Sequence, residues 1–168
     1  MVGMKKQFLA AFAVLGLAAL AVRAQSYSYG QSSSLLKGNT VEFLYPEQVN
    51  VTAGRATPVA LHFRVAPGLH INSHAPSDDF LIPTVFSFPQ AAGVRLSDFS
   101  YPAGAELTLP IDPKTKLSVY TGEFVIHARV VAARGDHMLQ GTLHYQACNL
   151  NQCMPPKTIT VPLDVIGK

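Results

Sequence analysis

The sequence lacks the short motifs that mark several common enzyme classes. It contains no Gly-rich phosphate-binding loop, no Gly-x-Ser-x-Gly nucleophile turn and no His-Glu-x-x-His helix. These motifs place the groups that bind phosphate, attack an ester or bind catalytic zinc, so their absence excludes the usual forms of those three chemistries. There is also no internal repeat and no stretch with a convincing helical period, which argues against a helical or repeat protein.

The N-terminus has the composition of an export signal. Lys5 and Lys6 precede an apolar run over residues 8–22, and small or aliphatic residues then occupy the positions that a signal peptidase reads. The run is shorter than the roughly 20 residues that a membrane-spanning helix needs. We therefore predict that residues 1–24 are a cleaved secretory signal peptide, with a retained anchor as the alternative. No cysteine follows the run, so lipid attachment is not expected there.

The rest of the chain has no excess of charge. The sequence has 13 basic and 10 acidic residues, and three basic residues of the predicted signal peptide, Lys5, Lys6 and Arg23, account for the difference. Removing 24 residues from 168 leaves a neutral chain of 144, which is long enough for one domain with its own core. Neutrality gives no support for nucleic acid or an anionic membrane as a partner, and no direct membrane span is expected after signal cleavage.

Short strands dominate the remaining pattern. Residues 25–38 are polar and without period, and are predicted to be a flexible leader to a domain at 39–168. Apolar residues occupy every second position, as expected for strands with one buried face, in segments 59–65, 124–130, 143–147 and 159–163. Further strands are expected at 41–44, 69–72, 84–88, 94–100 and 117–120. Eight or nine short strands at such spacing, in a chain with 12 Gly and 12 Pro, indicate an all-β, immunoglobulin-like antiparallel β-sandwich, with a closed barrel as the alternative.

The only two cysteines, Cys148 and Cys153, lie close together near the end of the chain. A strand, a four-residue bend and a return strand can bring two such sulfurs within bonding range, and three uses of the pair remain open. The first is a structural disulfide, which is common in exported proteins. Closing a loop of about six residues contributes roughly 2 kcal/mol. The full sequence is 48% apolar, and a neutral domain of this size has little need of that contribution.

The second use is a dithiol/disulfide that exchanges electrons with other thiol proteins. A disulfide across a short, exposed, Asn-rich bend is open to attack by a thiolate. The bend has no Lys, Arg or His, and a sheet edge offers no helix N-terminus to lower a thiol pKa. We therefore expect the chain to be a weak thiolate donor whose disulfide is attacked by a more acidic partner thiol.

The third use is copper or zinc binding, since methionines and six histidines are available to join two thiolates. The only close pair of histidines, His70 and His74, is far from the cysteines in sequence. Three other histidines lie at solvent-facing strand positions, which are typical of plain surface residues, namely His62, His127 and His144. Metal binding is therefore the least supported of the three uses.

A longer motif around the cysteines resembles a known family. It consists of Tyr145-Gln146-Ala147-Cys148, then Cys153-Met154-Pro155-Pro156, followed by a final strand over residues 158–163. The motif is similar to the N-terminal periplasmic domain of the thiol:disulfide interchange protein DsbD. Weaker similarity at residues 66–71, at 83–84 and at 120–124 extends the resemblance over roughly residues 40–165.

The resemblance implies an immunoglobulin-like periplasmic module that exchanges disulfides without a cofactor. It implies that Cys148 and Cys153 accept electrons from a thioredoxin-like domain, itself supplied by a membrane thiol electron carrier, and pass them to periplasmic thiol protein substrates. By position, Cys153 corresponds to the cysteine that forms mixed disulfides with partners, and Cys148 to its resolving partner. Three residues match those that support the pair, namely Tyr145, Gln146 and Pro155.

Two departures from the family pattern bear on function. The sequence stops at Lys168 with neither a multi-span membrane domain nor a C-terminal thioredoxin-like domain, so we expect a freestanding module that meets its partners in trans. The family's cap loop shields the disulfide with acidic and aromatic residues, but the corresponding residues 107–116 contain no aromatic side chain. Shielding is therefore expected to be looser or to come from Ile111 and Pro113. A binding or scaffolding sandwich with a structural disulfide remains the main alternative function.

Overall fold

The protein is built from β-strands throughout the part that the structure describes. A computed structural model describes residues 38–44 and 48–168, and it has no helix within them. The predicted signal peptide, and the predicted leader apart from Gly38, lie outside the described residues. The strands are β1 (Val41–Leu44), β2 (Gln48–Val51), β3 (Thr57–Val65), β4 (His70–Asn72), β5 (Val85–Ser87), β6 (Val94–Ser100), β7 (Ala105–Leu109), β8 (Asp112–Tyr120), β9 (Glu123–Ala132), β10 (Gly135–Tyr145), β11 (Ala147–Cys148) and β12 (Lys157–Gly167).

The twelve strands form three sheets of four strands each. The first sheet has the order β1-β3-β9-β6 and is antiparallel. The second has the order β2-β12-β10-β5 and is antiparallel except that β2 runs parallel to β12. The third has the order β11-β4-β8-β7, is antiparallel, and contains the first of the two cysteines.

The three sheets share one hydrophobic core, and the predicted alternation of the main strands is confirmed. In β3 and β9, Phe63 and Phe124 are register partners whose rings stack with centroids 5.3 Å apart. Successive side chains of a strand point to opposite faces, so the period-two pattern places all the apolar positions of a strand on the same face. The second sheet adds Leu143, Val161 and Val165, and the third adds Ile71, Tyr120 and Ala147.

These sheets make an immunoglobulin-like β-sandwich, as the sequence pattern predicted. A closed barrel is excluded because each sheet ends in two edge strands instead of closing on itself. Nowhere in residues 38–44 or 48–168 is there a helix long and apolar enough to cross a membrane.

Several strand boundaries differ from those that the sequence pattern predicts. Strands β1 and β6 have their predicted bounds, but β2 and β7 were not predicted. Both are short edge strands with mostly exposed or half-buried side chains, so they lack a strong apolar alternation, and pairing with β12 and β8 determines them. The predicted strand 143–147 is divided at Gln146 between β10 and β11, which belong to different sheets.

A buried hydrogen bond ties the end of β10 to the start of β1. The Tyr145 hydroxyl lies 2.8 Å from the Thr40 hydroxyl, and both residues are at most 1% exposed. The Thr40 carbonyl also accepts a hydrogen bond from Ala66 N at 3.0 Å. The strand that leads into the cysteine segment is therefore fixed to the first described strand through a polar contact inside the core.

We expect Tyr145→Phe to destabilise the protein by about 1–3 kcal/mol, because the Thr40 hydroxyl stays buried without its partner. Urea unfolding of the oxidised protein measures the change. Adding Thr40→Val should recover part of the loss, giving a favourable coupling energy in a double-mutant cycle. Strictly additive effects would contradict the proposed contribution of this hydrogen bond.

Candidate functional site

Both cysteines lie in the connection between β10 and β12. These two strands pair along eleven residues each, up to the register pair Tyr145 and Lys157. Beyond Tyr145 the chain leaves this sheet, and Ala147 and Cys148 form β11, which pairs with β4 at the edge of the third sheet. The cysteine segment therefore follows a long hairpin of the second sheet and lies at an edge of the third sheet.

Cys148 and Cys153 form a disulfide and face each other across a short antiparallel pair. The two sulfurs are 2.02 Å apart and the two Cα atoms 4.0 Å apart. On either side of the pair, Met154 N donates to Ala147 O at 2.8 Å and Asn149 N donates to Gln152 O at 2.9 Å. Residues flanked by hydrogen bonds in this way form the more closely spaced kind of antiparallel pair, which brings their side chains together. The predicted strand, bend and return strand are therefore present.

Two prolines separate this short pair from the long hairpin. Continuing the register of β10 and β12 would place Cys148 opposite Met154, whereas its partner is Cys153. Pro155 and Pro156, both exposed, occupy the point where the register shifts by one residue. Neither proline has an N–H for a ladder hydrogen bond, so the regular pairing cannot continue through them.

The two cysteines differ strongly in exposure. Cys148 is only 3% exposed, whereas Cys153 is exposed. Their outer neighbours Ala147 and Met154 are 2% and 9% exposed and belong to the hydrophobic core. The disulfide therefore joins a buried residue to an accessible one, and both arms are anchored in the core.

The bend between the cysteines is stabilised by its own side chains. The Asn149 side-chain oxygen accepts hydrogen bonds from the backbone N–H groups of Asn151 and Gln152, each at 2.8 Å. Such contacts are the usual reason why Asn favours turns. The bend leaves Leu150 48% exposed.

The three supporting residues predicted from the sequence have different surroundings. The Gln146 side chain donates from Nε2 to the Met154 carbonyl at 3.1 Å, and so ties the strand before Cys148 to the residue after Cys153. Tyr145 lies in the core and bonds to Thr40, as described above. Pro155 is exposed at the end of the short pair.

The strand pairing adds His70 to the site, although its distance from the cysteines in sequence argued against a role there. In the pairing of β11 with β4, Cys148 is the register partner of His70 and Ala147 that of Ile71. Register partners on antiparallel strands point to the same face, with Cβ atoms about 4.5–5.5 Å apart. The sequence alone placed only the bend and its flanks near the cysteines, and neither contains a histidine. It could not predict which strands pair when they lie far apart in the chain. The feature of the sequence that could have pointed to His70 is the predicted strand at 69–72.

His70 is buried and held by a well-bonded strand. It is 4% exposed, and burial lowers its pKa from the usual 6.5. At the other end of β4, Asn72 donates from Nδ2 to Ile82 O at 2.9 Å and accepts at its carbonyl from Thr84. Ser73 N donates to Ser118 O at 2.9 Å. These contacts fix the strand that carries His70 beside the disulfide.

A groove of about 560 Å³ adjoins the bend and includes His70 in its lining. Its apolar lining includes Leu69, Leu107 and Leu150, so β7 and the bend between the cysteines lie on the same groove. Of the two expectations for the shielding, that by Ile111 and Pro113 is wrong: Ile111, in the turn of the β7–β8 hairpin, is 87% exposed, and Pro113, at the start of β8, is also exposed.

Within the described ranges there is no group of three or more His, Cys, Asp or Glu side chains that could hold a metal ion. The His74 ring stacks on Tyr101, with centroids 3.6 Å apart, and its Nδ1 lies 3.0 Å from the Thr84 carbonyl oxygen.

Fold and site together define an immunoglobulin-like domain with a disulfide at a sheet edge. Residues 40–165 match the sequence model of the family described as thiol:disulfide interchange protein DsbD, N-terminal. This match covers well over half of the chain, which therefore belongs to the DsbD N-terminal domain family. No curated protein sequence matches the chain.

Solved structures of related domains show similarity at low sequence identity. The reduced DsbD N-terminal domain from Neisseria meningitidis is 22% identical, over 69% of this chain and 82% of that one, with a TM-score of 0.44. The N-terminal periplasmic domain of ScsB from Proteus mirabilis is 16% identical, over 74% of this chain and 44% of that one, with a TM-score of 0.49. A chain from the complex of the DsbD and PilB N-terminal domains of N. meningitidis is 21% identical, over 66% and 77%, with a TM-score of 0.44.

In the reduced protein, Cys153 should be alkylated faster than Cys148. Cys148 reacts only after the site opens, and an opening that costs about 1.4 kcal/mol already slows labelling tenfold. Brief treatment with iodoacetamide followed by peptide mass spectrometry measures both rates. Equal rates, or faster labelling of Cys148, would show that the difference in exposure is lost on reduction.

Acid should destabilise the protein through His70. Because burial lowers the His70 pKa, the unfolded state binds the proton more readily than the folded state. The contribution of neutral His70 is fully present above about pH 6.5 and is lost as the pH falls from there through the lower folded pKa. Urea midpoints of the oxidised protein, measured across this range, should fall less steeply for His70→Gln than for the unmodified protein. The exposed His127 provides the matched control, His127→Gln, and a slope equally reduced by both variants would contradict the assignment.

Proposed function

We propose that the protein is a periplasmic thiol–disulfide exchange module that cycles Cys148 and Cys153 between dithiol and disulfide. The observation that carries the proposal is the unequal exposure of the two bonded cysteines. Exchange needs one sulfur that a partner thiolate can approach in line with the S–S bond, and a second sulfur that can leave. The exposed Cys153 carries the sulfur that a partner can approach, and the buried Cys148 carries the sulfur that leaves.

The exchange proceeds in two displacements with a mixed disulfide between them. A thiolate of the reduced partner attacks the sulfur of Cys153, the Cys148–Cys153 bond breaks, and Cys148 leaves and takes up a proton. The second thiol of the partner then displaces Cys153, which leaves the partner oxidised and this protein as a dithiol. Run in the opposite direction with an oxidised substrate, the same steps transfer two electrons onward and restore the disulfide.

The partners follow from the chemistry and from the family. Membership of a family named for thiol:disulfide interchange supports exchange over a purely structural disulfide. We assign as electron donor a thioredoxin-like domain, supplied in turn by a membrane thiol carrier, and as acceptors exported proteins with reducible disulfides. The periplasm is the compartment in which such substrates occur, and it agrees with the predicted signal peptide.

A trapping experiment tests the division of roles between the cysteines. The partner is a thioredoxin-like protein that keeps only its attacking cysteine, activated as a mixed disulfide with thionitrobenzoate. Cys148→Ala should displace the thionitrobenzoate through Cys153 and accumulate a covalent complex, which a non-reducing gel detects and dithiothreitol dissolves. Because Cys148 is buried, the matched variant Cys153→Ala should accumulate much less.

Two results would overturn the proposal. If neither variant forms a complex, the disulfide is structural and the sandwich is a binding or scaffolding module. If only Cys153→Ala forms one, the accessible cysteine has been assigned to the wrong position.

A further inference from the structure

Three residues form a row across the edge of the third sheet. Cys148 has His70 as its register partner on one side and Cys153 on the other. Their neighbours Ile71 and Ala147 point into the hydrophobic core, so the row lies on the opposite face of the sheet. Although this face is turned from the core, both His70 and Cys148 are almost fully buried, at 4% and 3% exposure.

In the proposed exchange reaction, the burial of Cys148 disfavours the step in which Cys148 attacks as a thiolate. To close the disulfide again, Cys148 must attack Cys153 within the mixed disulfide, and only a thiolate attacks. Burial in apolar surroundings disfavours a thiolate. The bend between the cysteines contains no Lys, Arg or His that could take the proton or stabilise the charge. A side chain that accepts this proton would therefore have to come from another strand.

We propose that His70 accepts the proton of Cys148 when Cys148 resolves the mixed disulfide at Cys153. This assignment rests on the proposed exchange function and adds a named residue to it. The proton moves from the Cys148 sulfur to a ring nitrogen of His70, and the resulting thiolate attacks the Cys153 sulfur. The bond between Cys153 and the partner breaks, and the partner sulfur leaves as a thiolate that takes up a proton from the imidazolium or from water.

The surroundings of His70 suit a neutral base. Burial lowers its pKa, so at pH 7 the imidazole is neutral and can accept a proton. The groove that includes His70 has two other titratable groups, Arg64 and Glu123, and these are paired with each other at 2.6 Å. On the neighbouring strand β8, Tyr120 is the register partner of Ile71 and so points to the core face, away from the row. The cysteines are thus the titratable groups that share the row with His70.

A two-phase reaction with dithiobis(nitrobenzoate) separates the roles of the two cysteines. In the reduced protein, Cys153 attacks this small disulfide and releases the first thionitrobenzoate. Cys148 then resolves the mixed disulfide and releases the second. For His70→Gln we expect an unchanged first phase and a second phase slower by about a hundredfold at pH 7, the lower end of what a positioned base contributes. His127→Gln, an exposed histidine in β9, should leave both phases unchanged.

The pH profile distinguishes a proton acceptor from a residue that only packs. With His70 present, the rate of the second phase should be level above about pH 7 and fall as acid protonates the imidazole. With His70→Gln, it should instead rise with pH through the thiol range, at about 8.5 or above. The profile of the unmodified protein is informative even if His70→Gln folds poorly, which circular dichroism will detect. A second phase in the unmodified protein that simply rises through the thiol range would overturn the proposal.

The outcomes also separate this proposal from the proposed function. Covalent trapping through Cys153, together with an unchanged second phase in His70→Gln, would remove the role of His70 and leave exchange intact. Failure of the trapping experiment would remove exchange itself, whatever the second phase with the small disulfide shows.

Discussion

The core contacts of Ala147 and Met154 determine the geometry of the cysteine site. These two residues flank the disulfide on opposite arms, are joined by a backbone hydrogen bond of 2.8 Å, and are buried in the same hydrophobic core. Because they point inward, the next residue on each arm points outward, and Cys148 meets Cys153 on the outer face. The side chain of Gln146 adds a second tie between the arms.

The same anchoring lets the disulfide open without loss of the hairpin. Burying a side chain such as Met154 contributes about 1.5–3 kcal/mol, and a typical hydrogen bond about 0.5–1.5 kcal/mol. The disulfide itself, closing a loop of about six residues, contributes roughly 2 kcal/mol. Reduction therefore removes one stabilising contribution among several of similar size, while the core contacts and the Asn149 turn remain. A site that cycles between dithiol and disulfide needs this property.

The sequence was sufficient to predict the sandwich and the position of the disulfide, because both depend on local patterns. Period-two alternation is strong in β3, β9, β10 and β12, and the cysteines are separated by one short bend. The sequence did not predict β2 or β7, because edge strands with exposed side chains depend on their partners. His70 was missed for a related reason: only the pairing of β4 with β11 brings it opposite Cys148. Shielding by Ile111 was wrong because the β7–β8 turn leaves that side chain exposed.

The central claim is that Cys148 and Cys153 form a redox centre and not a structural staple. The midpoint reduction potential of the disulfide tests it most directly, measured by equilibrating the protein in buffers of defined thiol and disulfide content. An exchanging disulfide should have a midpoint clearly above about −300 mV, within reach of biological thiol carriers. A midpoint below about −300 mV would mark a bond that resists reduction and would contradict the account.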